Sequence, residues 1–276
     1  MKTLQNHTLI YDNDCPLCSL YTGAFVKTGM LDQNGRVAYS DGIDSLACKS
    51  VDKDRSRNEI ALVDKQNGEV IYGVDSLLKV IGNNWPVFNR FFKQQIPYAV
   101  ASTAYSFISY NRKVIIPVAP APEGRSCTPD FNLKYRLLFL LFTWIITSFI
   151  LNAYTATLAP LLPVGNFYRE FAICGGQILA QGVVITFLNR PKRMEYLGNM
   201  MTVSFAGGLL LWIARPLISS ITTSPFAFTS WFTIVVTWML LEHMRRVRLL
   251  QIHPIITVSW VLYRVSVLTY LLYAAK

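Results

Sequence analysis

The sequence predicts a two-part protein, with an α/β domain first and an all-α bundle of membrane helices after it. Hydrophobic residues make up 52% of the 276 positions and the mean hydropathy is +0.33, which is more apolar than a soluble domain usually is. Most acidic side chains precede residue 136. Short strand patterns occur only early in the chain, whereas apolar runs long enough to cross a bilayer occur only late.

These shifts in composition set the expected domain boundaries. We expect residues 1–115 to form the α/β domain and residues 134–276 to form a membrane domain of about five helices. Between them, residues 116–133 contain several prolines and predict a linker of limited flexibility.

The early elements follow from their local patterns. Strands are predicted at 8–11 and 36–40, on either side of a helix at 15–28 that ends near a glycine. Two alternating runs, 59–64 and 69–72, flank Asn67-Gly68, a dipeptide typical of hairpin turns. A helix at 76–81 is expected to be capped by Asp75. This order, together with expected helical turns at 43–48, is that of a thioredoxin-like sheet.

An aromatic stretch at 85–113 allows two interpretations. Its prolines at 86 and 97 favour two helices, which would either pack on the sheet or lie on a membrane surface with their aromatic rings at headgroup level.

The most informative feature is a pair of cysteines, Cys15 and Cys18, placed directly after the first strand. Pro16 is tolerated in the first turn of a helix, so Cys15 is expected where that helix begins. The free N–H groups and the dipole at a helix N-terminus favour a thiolate, whereas the adjacent Asp14 opposes it. Cys18 lies one turn further on, within bonding reach. The spacing therefore predicts a dithiol that can close to a disulfide and reopen.

The block Tyr11-Asp12-Asn13-Asp14-Cys15-Pro16-Leu17-Cys18 closely resembles the signature of the DCC family of thiol-disulfide oxidoreductases, the DUF393 domain. Asp12, Cys15 and Cys18 fall on the three named positions of that motif, although Asn13 stands where glycine is usual. The segments 61–78 and 110–112 are also similar to that family. The resemblance covers residues 7–115 and implies a thioredoxin-like fold and dithiol chemistry, but no particular substrate.

Within this hypothesis Cys15, expected to be the more exposed sulfur, attacks as a thiolate and Cys18 resolves the mixed disulfide. Asp12 is predicted to accept a proton from Cys18 or to orient a water. The partner is a protein or small-molecule thiol or disulfide, and no cofactor or metal is expected. Residues 55–59, directly before the third strand, contain no proline. Thioredoxins carry a proline there beside the substrate, so its absence argues against ordinary thioredoxin substrates.

Two other functions stay open. In the first, the membrane helices carry the function and the N-terminal domain is a non-catalytic redox sensor or docking module. In the second, Asp12 and Asp14 act as in haloacid-dehalogenase-like phosphotransferases, which need magnesium and a later acidic pair. The sequence shows no such pair in a convincing setting, and Pro16 stands where a Thr or Val is usual.

The late apolar segments predict an integral, multi-pass protein whose partner is membrane lipid. Basic residues flank these segments, so the net charge of +10 indicates membrane orientation and not nucleic-acid binding. Their distribution places the N-terminal domain in the cytoplasm, and a bacterial inner membrane is the expected location. The predicted spans are 137–158, 171–188, 197–214, 226–241 and 255–273.

Several late residues are candidates for special roles. Arg264, near the middle of the last span, is expected to face the bundle interior and pair with Glu170 or Glu242, or else to reach a membrane interface. Two histidines, His243 and His253, are expected at the surface near lipid headgroups. The isolated cysteines Cys48, Cys127 and Cys174 are expected to be free thiols.

Overall fold

The computed structural model describes residues 2–42, 50–119, 128–159, 161–163 and 165–273. It forms two compact units, Met1–Tyr135 and Arg136–Lys276, which we take in turn.

The described part of the first unit is built on a four-stranded mixed sheet. Its strands run in the spatial order β2-β1-β3-β4, with β1 parallel to β2 and antiparallel to β3, and β3 antiparallel to β4. Leu9 and Ile10 of the central strand β1 point to opposite faces of the sheet, and both are buried because each face is covered. The strands are β1 (His7–Tyr11), β2 (Arg36–Ala38), β3 (Ala61–Asp64) and β4 (Val70–Tyr72).

Each face of the sheet buries its own apolar cluster. Leu9 and Leu62 pack on one face with Met30, Leu31 and Val80, under the first helix. The other face carries a second cluster, which consists of Ile10, Tyr39, Val51, Ala61 and Val63. The sheet therefore holds the end of β1 rigidly between two layers.

The helices of the first unit are short, apart from the last. They are α1 (Pro16–Lys27), α2 (Tyr39–Gly42), α3 (Lys53–Asn58), α4 (Val74–Asn84), α5 (Pro86–Phe92) and α6 (Gln95–Ile115). The second strand ends at Ala38 and α2 takes its place, so the predicted extension to residue 40 is wrong. The helical turns predicted at 43–48 lie outside the described residues.

The hairpin prediction is confirmed: β3 pairs with β4, and Gly68 adopts φ +75° in the turn. The Asp75 cap is wrong. Helix α4 begins at Val74 after Gly73, whose φ of +65° reverses the chain, and the Asp75 carboxylate instead accepts a hydrogen bond from the Tyr98 hydroxyl.

Helices α5 and α6 confirm the two helices predicted for the aromatic stretch. The later part of α6 packs on the unit, with Arg112 and Val114 buried and Tyr105 against the Leu9 cluster. By contrast, α5 buries no residue, and Val87 and Ile96 are each 78% exposed. This exposed, aromatic first part is typical of a surface that contacts lipid.

The described second unit is helical. Its long helices are α7 (Leu133–Thr155, which begins in the first unit), α8 (Arg169–Asn189), α9 (Arg193–Ile221), α10 (Pro225–Leu249) and α11 (Ile255–Tyr273). They form four stretches that are long and apolar enough to cross a membrane. The five helices give four stretches because α8 and α9 follow each other without a break, as the single stretch Arg169–Ile221 of 53 residues. A 3-10 turn at Arg190–Lys192 folds that stretch back, and the Tyr196 hydroxyl consequently reaches Gln181 at 2.8 Å. The second unit therefore has the composition of a membrane protein.

Candidate active site

The site lies where β1 ends and α1 begins. Cys15 is the N-cap of α1 with extended backbone angles, and Pro16 occupies the first helical position, where a missing N–H costs nothing. The Cys15 sulfur takes the place of the usual capping oxygen and accepts a hydrogen bond from the Cys18 backbone N–H at 3.4 Å. The predicted juxtaposition of the two cysteines is present, and both are free thiols.

The surroundings of the two cysteines shift their thiol pKa values in opposite directions. The pKa of Cys15 is lowered from 9.0 to about 6, first because the Cys18 thiol donates a hydrogen bond to it, and then because of the Cys18 N–H and the charge of Arg112. The same hydrogen bond, burial and the Cys15 charge raise the pKa of Cys18. Burial of Cys15 opposes this shift most, and the negative charge of Asp12 opposes it less. The pair therefore has one thiolate and one firmly protonated thiol at neutral pH.

Asp12 lies directly after β1 and is only 4% exposed. Its Oδ2 atom lies 3.1 Å from Nη2 and 3.2 Å from Nε of Arg112, and 3.8 Å from Nζ of Lys113. Its Oδ1 atom accepts the Asp14 backbone N–H at 3.0 Å, which shapes the turn that leads to Cys15. The Asp12 carboxylate therefore stabilises the turn that leads to Cys15 and also holds the Arg112 guanidinium near the sulfurs.

Arg112 is the functional residue that the sequence did not identify. It lies 100 residues from Asp12, on the last turns of α6, and is 6% exposed. Its Nη2 atom also donates to the Arg57 carbonyl at 2.8 Å, and its Nη1 atom donates to the Ser109 hydroxyl at 3.3 Å. The similarity of segment 110–112 to the DCC family was the only signal in the sequence that pointed to it.

A cavity of about 240 Å³ opens beside Cys18. Its other walls include apolar and aromatic side chains such as Leu17, Tyr21 and Tyr105. Besides Cys18, its polar lining residues are Asp12, Ser56, Glu59, Ser109 and Arg112. The lining includes Cys18 but not Cys15. A small, largely apolar group that enters this cavity would meet Cys18 first.

The predicted order of exposure of the two sulfurs is wrong. Cys15 is 2% exposed and Cys18 is 8% exposed. The reason is local: the first turn of α1 places Cys18, and not Cys15, on the cavity.

The remaining candidates lie elsewhere. Cys48 and Cys127 fall outside the described residues, and Cys174 is a partly exposed free thiol in α8. His243 is not at the surface: it is 1% exposed, bonded to the hydroxyls of Tyr196 and Thr257 at 3.1 and 3.2 Å. His253 is exposed, as predicted. In the part of the chain that the structure describes, no group of three or more His, Cys, Asp or Glu side chains is arranged to hold a metal.

Comparisons of the chain with protein-family models, with curated proteins and with solved structures gave no match.

Proposed function

We propose that this chain is a membrane-bound thiol-disulfide oxidoreductase that uses Cys15 as nucleophile and Cys18 as resolving thiol. The observation that carries the proposal is the difference between the two sulfurs. Cys15 caps a helix with its pKa lowered to about 6, and Cys18, one turn away, has its pKa raised. A dithiol enzyme needs this division, because a nucleophile must be ionised while its partner waits as a thiol.

The reaction moves two electrons from the dithiol to a substrate disulfide. The Cys15 thiolate attacks one substrate sulfur, the substrate S–S bond breaks, and the first substrate thiolate leaves. Cys18 then loses its proton and attacks the Cys15 sulfur of the mixed disulfide, which releases the second substrate thiolate. The enzyme ends with a Cys15–Cys18 disulfide, and the reverse sequence oxidises a dithiol substrate.

Asp12 is the proposed acceptor of the Cys18 proton, or the group that orients a water for this step. Asp12 and Cys18 line the same cavity, which supports this role. Arg112 is a positioning residue in the proposal, since it holds the Asp12 carboxylate and lowers the pKa of Cys15 through its charge.

The sheet supports a thioredoxin-like domain and membership of the DCC family. We expect such a domain to have a parallel β1–β2 pair connected by α1, with an antiparallel hairpin on the other side of β1, and the sheet has this arrangement. The cysteine pair lies at the end of β1, as the DCC motif requires. We propose a cytoplasmic location for this domain, on a bacterial inner membrane, because of the basic residues that flank the spans.

Trapping of mixed disulfides tests the proposal. We expect Cys18→Ser in the full chain to accumulate mixed disulfides through Cys15, identified by mass spectrometry after alkylation, because the resolving step is lost. Cys15→Ser is the matched control and should accumulate none. If adducts form only through Cys18 in the Cys15→Ser variant, the assignment of the nucleophile is wrong; if neither variant forms adducts, the oxidoreductase proposal is wrong.

A second function has one observation in its favour. Both sulfurs are buried, at 2% and 8% exposure, which suits a redox sensor or docking module that forms an internal disulfide and meets no substrate sulfur. Such a sensor would show a reversible Cys15–Cys18 disulfide in redox titration and no adduct with Cys18→Ser. Phosphotransfer has no comparable support, because the described residues offer no group of three or more His, Cys, Asp or Glu side chains that could hold the magnesium it needs.

A further inference from the structure

The second unit contains a large cavity among its helices, about 580 Å³ in volume. This volume is in the range of sites that hold ligands of drug size. Leucine, valine, isoleucine and phenylalanine make up half of its lining residues, and Arg264 is one of the few charged residues there. A charged group in an apolar cavity inside a membrane span is costly, which makes it a functional candidate.

The Arg264 side chain turns toward the interior of the unit. Its Cζ lies 4.0 Å from the ring centroid of Trp260, which is 1% exposed, and its Nη2 lies 3.4 Å from the Ser204 hydroxyl. The Trp260 carbonyl accepts a hydrogen bond from Gln177, which lies eight residues into α8, about 12 Å along the helix. The guanidinium therefore lies among interior side chains of the unit, as in the prediction that Arg264 faces the bundle interior.

The expected counterions of Arg264 are engaged elsewhere. Glu170, on the same cavity, pairs with Arg169 at 2.8 Å, and Glu242 pairs with Arg245 and Arg246, each at 2.7 Å. The predicted pairing of Arg264 with Glu170 or Glu242 is therefore wrong.

The charge of Arg264 is consequently not neutralised by the described residues. Among them, no carboxylate lies within 4.0 Å of its guanidinium, and its buried Nε–H has no acceptor. The face of Trp260 stabilises a cation only in part, and the bond to Ser204 is long. The other titratable groups on this cavity are the mutually paired Arg169 and Glu170 and the side chains of Cys174 and Tyr263. The cavity therefore has an unsatisfied positive charge.

We propose that this cavity binds a single-chain amphiphile with an ionised carboxylate head, with the head at Arg264 and the chain along the apolar walls. A buried cation without a counterion favours an anion over a neutral head, and the planar guanidinium matches a carboxylate. The volume suits one acyl chain, and a phospholipid with two chains exceeds it. This proposal concerns the second unit alone and does not rest on the dithiol chemistry.

Equilibrium binding of tritiated palmitate to the purified full-length protein in detergent tests the proposal. We expect palmitate to bind at least about tenfold more tightly than methyl palmitate, at a pH well above the carboxyl pKa, because the ester keeps the chain and loses the charge. This comparison needs no substitution, so it stands even if a variant fails to fold.

Variants then locate the site. Arg264→Met should weaken palmitate binding at least about tenfold, and Arg264→Lys should weaken it less because the charge remains. Arg248→Met is the matched control, since Arg248 is exposed on α10 and does not line the cavity; it should bind as the wild type does. Equal binding of acid and ester, equal binding by Arg264→Met, or displacement of palmitate by a neutral quinone at equal concentration would each overturn the proposal.

Discussion

The hydrogen bond from the Cys18 thiol is the largest cause of the lowered Cys15 pKa, so replacing Cys18 tests the site directly. Cys18→Ala removes the donor, whereas Cys18→Ser keeps a hydroxyl that can donate. We expect the Cys15 pKa to rise from about 6 toward 9.0 in Cys18→Ala, with a smaller rise in Cys18→Ser. The backbone N–H of residue 18 and the Arg112 charge remain in both variants, so the rise should be incomplete.

The expected size of the effect follows from the pKa. At pH 7, a thiol with a pKa of about 6 is about 90% thiolate, against about 1% for a pKa of 9.0. Nucleophilicity falls as the pKa falls, by about 20-fold over this shift. The net gain in alkylation rate at pH 7 is therefore only about fourfold, and burial of Cys15 slows every rate. The midpoint of the pH profile is the better measurement, because neither the lower nucleophilicity nor the burial of Cys15 moves that midpoint.

The assay is iodoacetamide labelling of the full chain, with the Cys15 peptide quantified by mass spectrometry across a pH series. The labelling rate should rise with pH through a midpoint near 6 in the wild type, because the thiolate is the reacting form. A wild-type midpoint near the ordinary cysteine value, or the same midpoint in Cys18→Ala and Cys18→Ser, would refute the reasoning.

Three further predictions concern the first unit. Arg112→Met leaves the buried Asp12 carboxylate without its main partner and should destabilise the fold by about 3–5 kcal/mol. Adding Asp12→Asn to this variant should restore part of the lost stability. Thermal unfolding of the detergent-solubilised chain measures both effects, and equal melting temperatures of the single and double variants would contradict the pairing. Gly73→Ala forces a side chain into a backbone with φ +65° and should cost about 1–3 kcal/mol in the same assay; an unchanged melting temperature would show that the turn relaxes. In the protein reconstituted in lipid nanodiscs, a spin label attached at Val87 through an unnatural amino acid should be more accessible to oxygen than to a polar nickel reagent, because the exposed apolar face contacts lipid. Leu20, which is also exposed, is the control site. The same accessibility at both sites would rule out this contact.

The local elements around the site could be predicted because their signals are short-range. Pro16 after Cys15 indicates a helix start, and Asn67-Gly68 between alternating runs indicates a hairpin; both are present in the structure. The Asp75 cap failed for a related reason. Gly73, which can adopt positive φ, is the N-cap, two residues earlier than the polar pattern suggested.

By itself the sequence determined which residues are close along the chain: the cysteine spacing, the carboxylate at the end of β1 and the apolar lengths of the late helices. Only the tertiary structure decided which distant groups meet. Arg112 reaches Asp12 because α6 folds back onto the sheet, and Cys18 is more exposed than Cys15 because it lines the cavity. In the second unit, Glu170 and Glu242 pair with basic neighbours on their own helices, which leaves Arg264 facing the cavity. The physical reason is that periodicity specifies which face of an element is buried, whereas the partner of a buried charge depends on how distant elements pack.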